Sequence, residues 1–145
     1  MEHTEQQSAA SDPRPLIAVV NDDEDILAML DLALTDAGYH PLLIRHGEEA
    51  AALIRDAQPA LVIQDIWMER IDSGVRLLHA LHEDDATHAI PVIVCSAHPF
   101  MRPELTDLLE QPHYRFLQKP FLLNDLLSTI ATMLPSSAAT RPTDD

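Results

Sequence analysis

A chain of 145 residues, 46% hydrophobic and only 4% aromatic, is long enough to bury one aliphatic core in two or three layers without staples. Nine Lys and Arg stand against 24 Asp and Glu, a formal net charge of −15, which argues against nucleic acid as a partner because neutralising phosphates takes clustered cations. The apolar runs are too short to cross a bilayer, no basic start precedes an apolar stretch, and the single cysteine, Cys95, cannot close an internal disulfide, so a cytoplasmic protein without membrane insertion is expected.

Residues 1–15 are polar and aperiodic and read as a flexible leader, 16–134 as one domain, and 135–145 (PSSAATRPTDD) as a flexible tail. Leu16–Val20 is the first predicted strand. A helix follows from Asp23 or Glu24, with Ile26, Leu30, Ala33 and Ala37 as its apolar face and Gly38 as its stop. Pro41–Arg45 is a short second strand, and a helix near Glu48–Ala57 presents Ala50, Leu53, Ile54 and Ala57. Ala60–Gln64 is the third strand, apolar on both faces as a central parallel strand should be. Val75–Glu83 buries Leu77, Leu78 and Leu81, and Pro91–Cys95 is the fourth strand, with Cys95 as a small buried hydrophobe. A weaker fourth helix near Pro103–Glu110, a fifth strand Tyr114–Gln118 and a fifth helix Leu122–Leu134, with Leu123, Leu126, Leu127, Ile130 and Leu134 on one face, complete the pattern. Strands alternating with helices of this length predict an α/β domain with right-handed crossovers. Its expected form is a doubly wound, flavodoxin-like (βα)5 unit, a five-stranded parallel sheet of order 2-1-3-4-5 with helices on both faces.

In such a sheet the carboxyl ends of the strands share one edge. There the sequence places Asn21-Asp22-Asp23, Asp65, Ser96 and Lys119-Pro120. Taken singly each has an ordinary explanation: Asp65 a turn or cap, Ser96 a turn hydroxyl, Lys119 a solvated cation. Asp23, Glu24 and Asp25 could simply favour a helix start, a role for Asp23 that stands level with a metal-binding one. The eight histidines show no pair of convincing zinc geometry beyond a weak His79/His82 spacing. It is the convergence of two acids, a hydroxyl and an ammonium that points to chemistry.

The stretches IAVVNDDEDIL, LVIQD, VIVCSA and FLQKPF, in this order from about Leu16 to Leu134, resemble the receiver domain of bacterial two-component response regulators. The resemblance implies that Asp65 accepts a phosphoryl group from a sensor histidine kinase or a histidine phosphotransfer protein, becoming an aspartyl phosphate. It implies Mg2+ held by Asp22, Asp65 and the backbone carbonyl of Trp67, with Lys119 and Ser96 on the phosphoryl oxygens. It further implies a cis Lys119–Pro120 bond and a switch. In that switch the Ser96 hydroxyl moves toward the phosphoryl group, Phe116 turns inward, and the face of the fourth helix, fifth strand and fifth helix changes for a downstream protein or a second copy in a homodimer.

Two departures stand out. The expected acidic pair reads Asn21-Asp22, or Asp22-Asp23 after a one-residue shift, so the metal set is open at Asn21 and Asp23. The loop DIWMERIDSG keeps Met68 and Gly74 but carries Glu69 where proline is common and is one residue longer than usual. Trp67 and His98 fall at the variable positions flanking the phosphoryl group.

The reading this supports is a single-domain phosphoacceptor in a phosphorelay, not a turnover enzyme, promoting its own phosphorylation and dephosphorylation and acting through another protein. The alternative is a phosphorylation-independent receiver-like scaffold. A haloacid-dehalogenase-type phosphatase is disfavoured, because the second Asp expected two residues after the nucleophile is Trp67 here.

Overall fold

A computed structural model describes residues 13–45, 47–66, 71–97 and 107–134. The leader up to residue 12, the tail 135–145, Trp67, Met68, Glu69, His98 and the first half of the expected helix near Pro103–Glu110 lie outside the described residues. Of that helix, residues 107–109 are helical and Leu108 is buried.

Five strands form one parallel sheet in the order β2-β1-β3-β4-β5. They are β1 (Leu16–Val20), β2 (His40–Ile44), β3 (Leu61–Asp65), β4 (Val92–Ser96) and β5 (Tyr114–Gln118). The long helices are α1 (Glu24–Asp36), α2 (Gly47–Ala57), α3 (Ile71–Glu83) and α4 (Leu123–Met133). The expected fold and strand order hold, with strand limits displaced by a residue: β2 starts and ends one earlier, while β3 and β4 run one later. Asp65 and Ser96 are therefore the last residues of their strands rather than the first of the following loops.

Side-chain alternation divides the core into two layers. Ile17, Val19, Leu61, Ile63, Ile93 and Cys95 pack with α1 and α4. Ala18, Val20, Val62, Val92 and Val94 pack with α2 and α3 on the opposite face. Asp65 has the parity of Leu61 and Ile63, and pairs in register with Cys95. Its carboxylate therefore belongs to the α1/α4 side. Ser96 has the parity of Val92 and Val94, so it approaches the same edge from the other face.

The helix phases correct part of the sequence reading. On α1 the buried residues are Leu27, Leu30 and Leu34, while Ile26 is half-buried and Ala37 exposed. Contact with Ile17 and Val19 selects that stripe in a helix that is apolar over most of its surface. On α2, Ala50 and Ile54 are buried but Leu53 and Ala57 are exposed. On α4, Leu126, Ile130 and Met133 are buried, whereas Leu123 faces solvent. The expected Leu77, Leu78 and Leu81 are all buried on α3.

The order reverses between β1 and β3: the chain leaves β1 toward β2 and returns on the other side. Neighbouring crossovers leave in opposite directions there, opening a crevice at the carboxyl ends of β1 and β3. Asp22 and Asp65 stand at its two sides.

Candidate functional site

The β1 edge is built by its backbone. Asn21 N–H donates to the Ile44 carbonyl at 3.0 Å, continuing the β1–β2 ladder past the last strand residue. The buried Asn21 side chain then turns the chain, its Oδ1 accepting from Asp23 N–H at 2.9 Å. Asp23, with extended backbone (φ −92°, ψ 112°), is the N-cap of α1 and accepts from Asp25 N–H at 2.9 Å and Ile26 N–H at 3.3 Å. Both bonds end on Asp23 Oδ1, the ordinary engagement of a helix N-cap acid.

Across the crevice, Lys119 N–H donates to the Ser96 carbonyl at 2.9 Å, extending the β4–β5 ladder, and the following Lys119–Pro120 bond is cis, as expected. The Lys119 ammonium forms an ion pair with Asp65 Oδ1. The Asp65 side chain is only 6% exposed, and its Oδ2 has no hydrogen-bond partner among the described residues. Burial pushes the Asp65 carboxyl above the ordinary carboxylate range, Lys119 pulls it back, and the charges of Asp22 and Asp23 raise it further. Ser96 is buried beside them. Asn21, Asp22, Asp65, Ser96 and Lys119 are therefore brought together at one edge. Phe116 lies off this cluster, half-buried against the opposite core layer and in register with Val94.

The sequence reading did not assign five residues to the site, although it named Cys95 as a buried hydrophobe and Ile26 on a helix face. Gln64 is buried and donates from Nε2 to the Asp65 carbonyl at 3.0 Å, while its Oε1 has no partner among the described residues. Its polarity inside an otherwise apolar strand was the available signal. Cys95, opposite Asp65, has its thiol pushed up to about 12 by burial, with the Asp65 charge acting in the same direction, so it stays protonated beside the carboxylate. Ile26 and Met29 of α1, with Phe121, wall a cavity of about 460 Å³ that opens onto Asp65 and Lys119.

Mg2+ is the cofactor implied for this edge, and the donors suit it. A buried carboxylate oxygen on Asp65 that has no partner among the described residues, with a second carboxylate on Asp22, offers a hard, oxygen-only set. Among the described residues no group of three His, Cys, Asp or Glu could hold a metal ion, so the acids number fewer than in a dedicated cage. The Trp67 carbonyl falls outside the described residues.

Residues 17–131 match the model of the response regulator receiver domain. The chain is 31% identical over 118 residues to a phosphate regulon transcriptional regulatory protein of Pseudomonas aeruginosa, covering 81% of this chain and 51% of that one. It is 32% identical over 126 residues to the transcriptional regulatory protein PrrA of Mycobacterium leprae, covering 87% and 52%. It thus spans about half the length of these relatives. Among solved structures, the N-terminal domain of a response regulator receiver protein from Methanoculleus marisnigri is 30% identical, with TM-score 0.62 over 83% of this chain and 97% of that one. A chemotaxis response regulator of Vibrio cholerae, at 24% identity and TM-score 0.70 over 83% and 99%, shows the same fold. No described helix is long and apolar enough to cross a membrane. With sheet order, residue pattern and family match in agreement, the chain belongs to the response regulator receiver domains, phosphoacceptor modules of two-component signalling.

Proposed function

We propose that Asp65 is the phosphoacceptor of this domain, taking its phosphoryl group from a histidine kinase or histidine phosphotransfer protein. The observation that carries this reading is the state of its carboxylate: nearly buried, one oxygen paired with Lys119, the other without a partner among the described residues. A purely structural acid would have both oxygens satisfied, since an unmet buried acceptor costs about 1–3 kcal/mol.

In the transfer, a carboxylate oxygen of Asp65 attacks phosphorus. A P–O bond forms as the P–N bond to the donor imidazole breaks, and the leaving imidazole keeps the electron pair and takes up a proton. Lys119, already on Asp65, follows the charge onto a phosphoryl oxygen, and Ser96 donates its hydroxyl to another. Asp22 and Asp65 would hold Mg2+, which when bound neutralises the charge gathered there. The Cys95 thiol stays protonated, so it does not compete as a nucleophile beside the acyl phosphate.

The switch is assigned to Ser96 and Phe116, one strand apart on the same face of β4 and β5. Movement of the Ser96 hydroxyl toward the phosphoryl group frees space for Phe116 to turn in. The face that includes β5 and α4 would then change its docking of a downstream protein or a second copy. The donor protein docks on the exposed Met29 and Leu32 of α1 and on Leu122, which follows the cavity wall residue Phe121. The domain acts as a phosphoacceptor that promotes its own phosphorylation and dephosphorylation.

Incubation with acetyl phosphate and Mg2+, followed by intact mass measurement, tests the reading. One phosphoryl adduct on the wild type and none on Asp65→Asn is the expected result. An adduct of equal yield on the variant would move the acceptor elsewhere.

A further inference from the structure

The residue at the start of the acidic turn is an amide, and its hydrogen bond fixes what it can offer. The partner of Asn21 Oδ1 is a backbone N–H, that of Asp23, at 2.9 Å. Only an oxygen can accept there, so the bond also settles which way the amide faces. With Oδ1 engaged in the turn, the remaining polar atom of the side chain is Nδ2, a donor. Asn21 is 6% exposed and lines the same cavity as Asp65 and Lys119. Asp23 spends Oδ1 on the Asp25 and Ile26 N–H groups at the head of α1. Where an aspartate would offer a cation its second carboxylate oxygen, the side chain at position 21 therefore offers an N–H donor.

We propose that Asn21 is a specificity-determining residue that keeps divalent cation affinity low, so that the Asp65–Lys119 ion pair competes with the cation for Asp65. The inference rests on the phosphoacceptor reading above only in treating this edge as the cation site. Affinity for a hard divalent ion follows the number of charged oxygen ligands and the rigidity of the site. Replacing a carboxylate oxygen by an N–H removes one ligand and turns a positive edge toward the ion. Aspartate at the same position would keep the turn, because one carboxylate oxygen can accept from Asp23 N–H while the other replaces Nδ2. Asn21→Asp thus changes one atom of the side chain from donor to acceptor, with little else disturbed.

Titration calorimetry of Mg2+ into the full chain, without any phosphoryl donor, tests this. Asn21→Asp is expected to bind Mg2+ at least about tenfold more tightly than wild type, the lower end of what one altered contact does at a metal site. Asn21→Ala is expected to stay within about twofold of wild type, because the amide is not a ligand. Should Asn21→Ala fail to fold, Asn21→Ser carries the same comparison, since its hydroxyl can accept from Asp23 N–H. An Asn21→Asp variant with wild-type affinity, or loss of Mg2+ binding on removing the amide, would overturn the proposal. Either result leaves the phosphoacceptor reading standing if the Asp65-dependent adduct still forms, and absence of the adduct would sink that reading without touching the calorimetry.

Discussion

Burial is the largest influence on the Asp65 carboxyl, and it favours the neutral acid. Because its folded pKa lies above the ordinary value of 3.8, the native state holds the proton more tightly than the unfolded chain does. Its stabilising contribution is complete below that ordinary value and is lost as pH rises through the folded pKa. At neutral pH the ionised carboxylate therefore works against folding. Asp65→Asn is expected to stabilise the protein at pH 7 by about 1 kcal/mol, the usual size when a functional strain is relieved. The advantage should shrink as pH falls toward the ordinary carboxylate range. Thermal melts of both proteins across that range check it; a variant less stable than wild type at neutral pH would show that the Lys119 pair outweighs burial.

At the scale of elements, one close approach shapes the site. Gly74, on α3, leaves room for the end of β3: a Cβ there would meet Ile66 Cγ1 at 3.0 Å. Ile66 is itself buried, at 2% exposure, so it has little freedom to move away. Gly74→Ala gains about 1 kcal/mol of helix propensity but forces a tight contact that costs about 1–3 kcal/mol. A net loss of about 1 kcal/mol in denaturant melts is expected, and a net gain would mean that Ile66 yields. The donor docking proposed on α1 is tested at the same scale. Leu32 is 74% exposed on α1 and does not line the cavity at Asp65. Leu32→Asp is expected to slow transfer from a phosphorylated protein donor by about tenfold, one anchor contact's worth, while leaving acetyl phosphate labelling unchanged. Equal loss with both donors would place the fault in the fold rather than in docking. The phase of α1 also marks where sequence reading reaches its limit. Ile26, Leu27, Met29, Leu30, Leu32, Ala33 and Leu34 leave hardly a polar face, so periodicity cannot say which stripe is buried. Only packing on Ile17 and Val19 selects Leu27, Leu30 and Leu34, and it leaves Met29 and Leu32 outside.

For the molecule as a whole, the order of the strands and the gathering of Asp22, Asp65, Ser96 and Lys119 were legible in the sequence. Each of these residues ends or directly follows a short apolar run, and parallel strands must share an edge. What could not be read were effects of single hydrogen bonds. Asp23 caps α1 through Oδ1, and Asn21 turns the chain through its amide oxygen. The sequence offers a helix start for Asp23 without choosing the bond, and nothing in it fixes the direction of the Asn21 amide. The roles of Gln64 and Cys95 depend likewise on strand register, which sets them beside Asp65. The central claim is that this acidic edge exists to form an acyl phosphate on one carboxylate. Borohydride reduction of the phosphorylated protein converts an aspartyl phosphate to homoserine, which peptide mass spectrometry then locates. Homoserine at position 65 alone is the expected result; homoserine at position 22 or 23, or none in a protein that carries a phosphoryl adduct, would contradict the account.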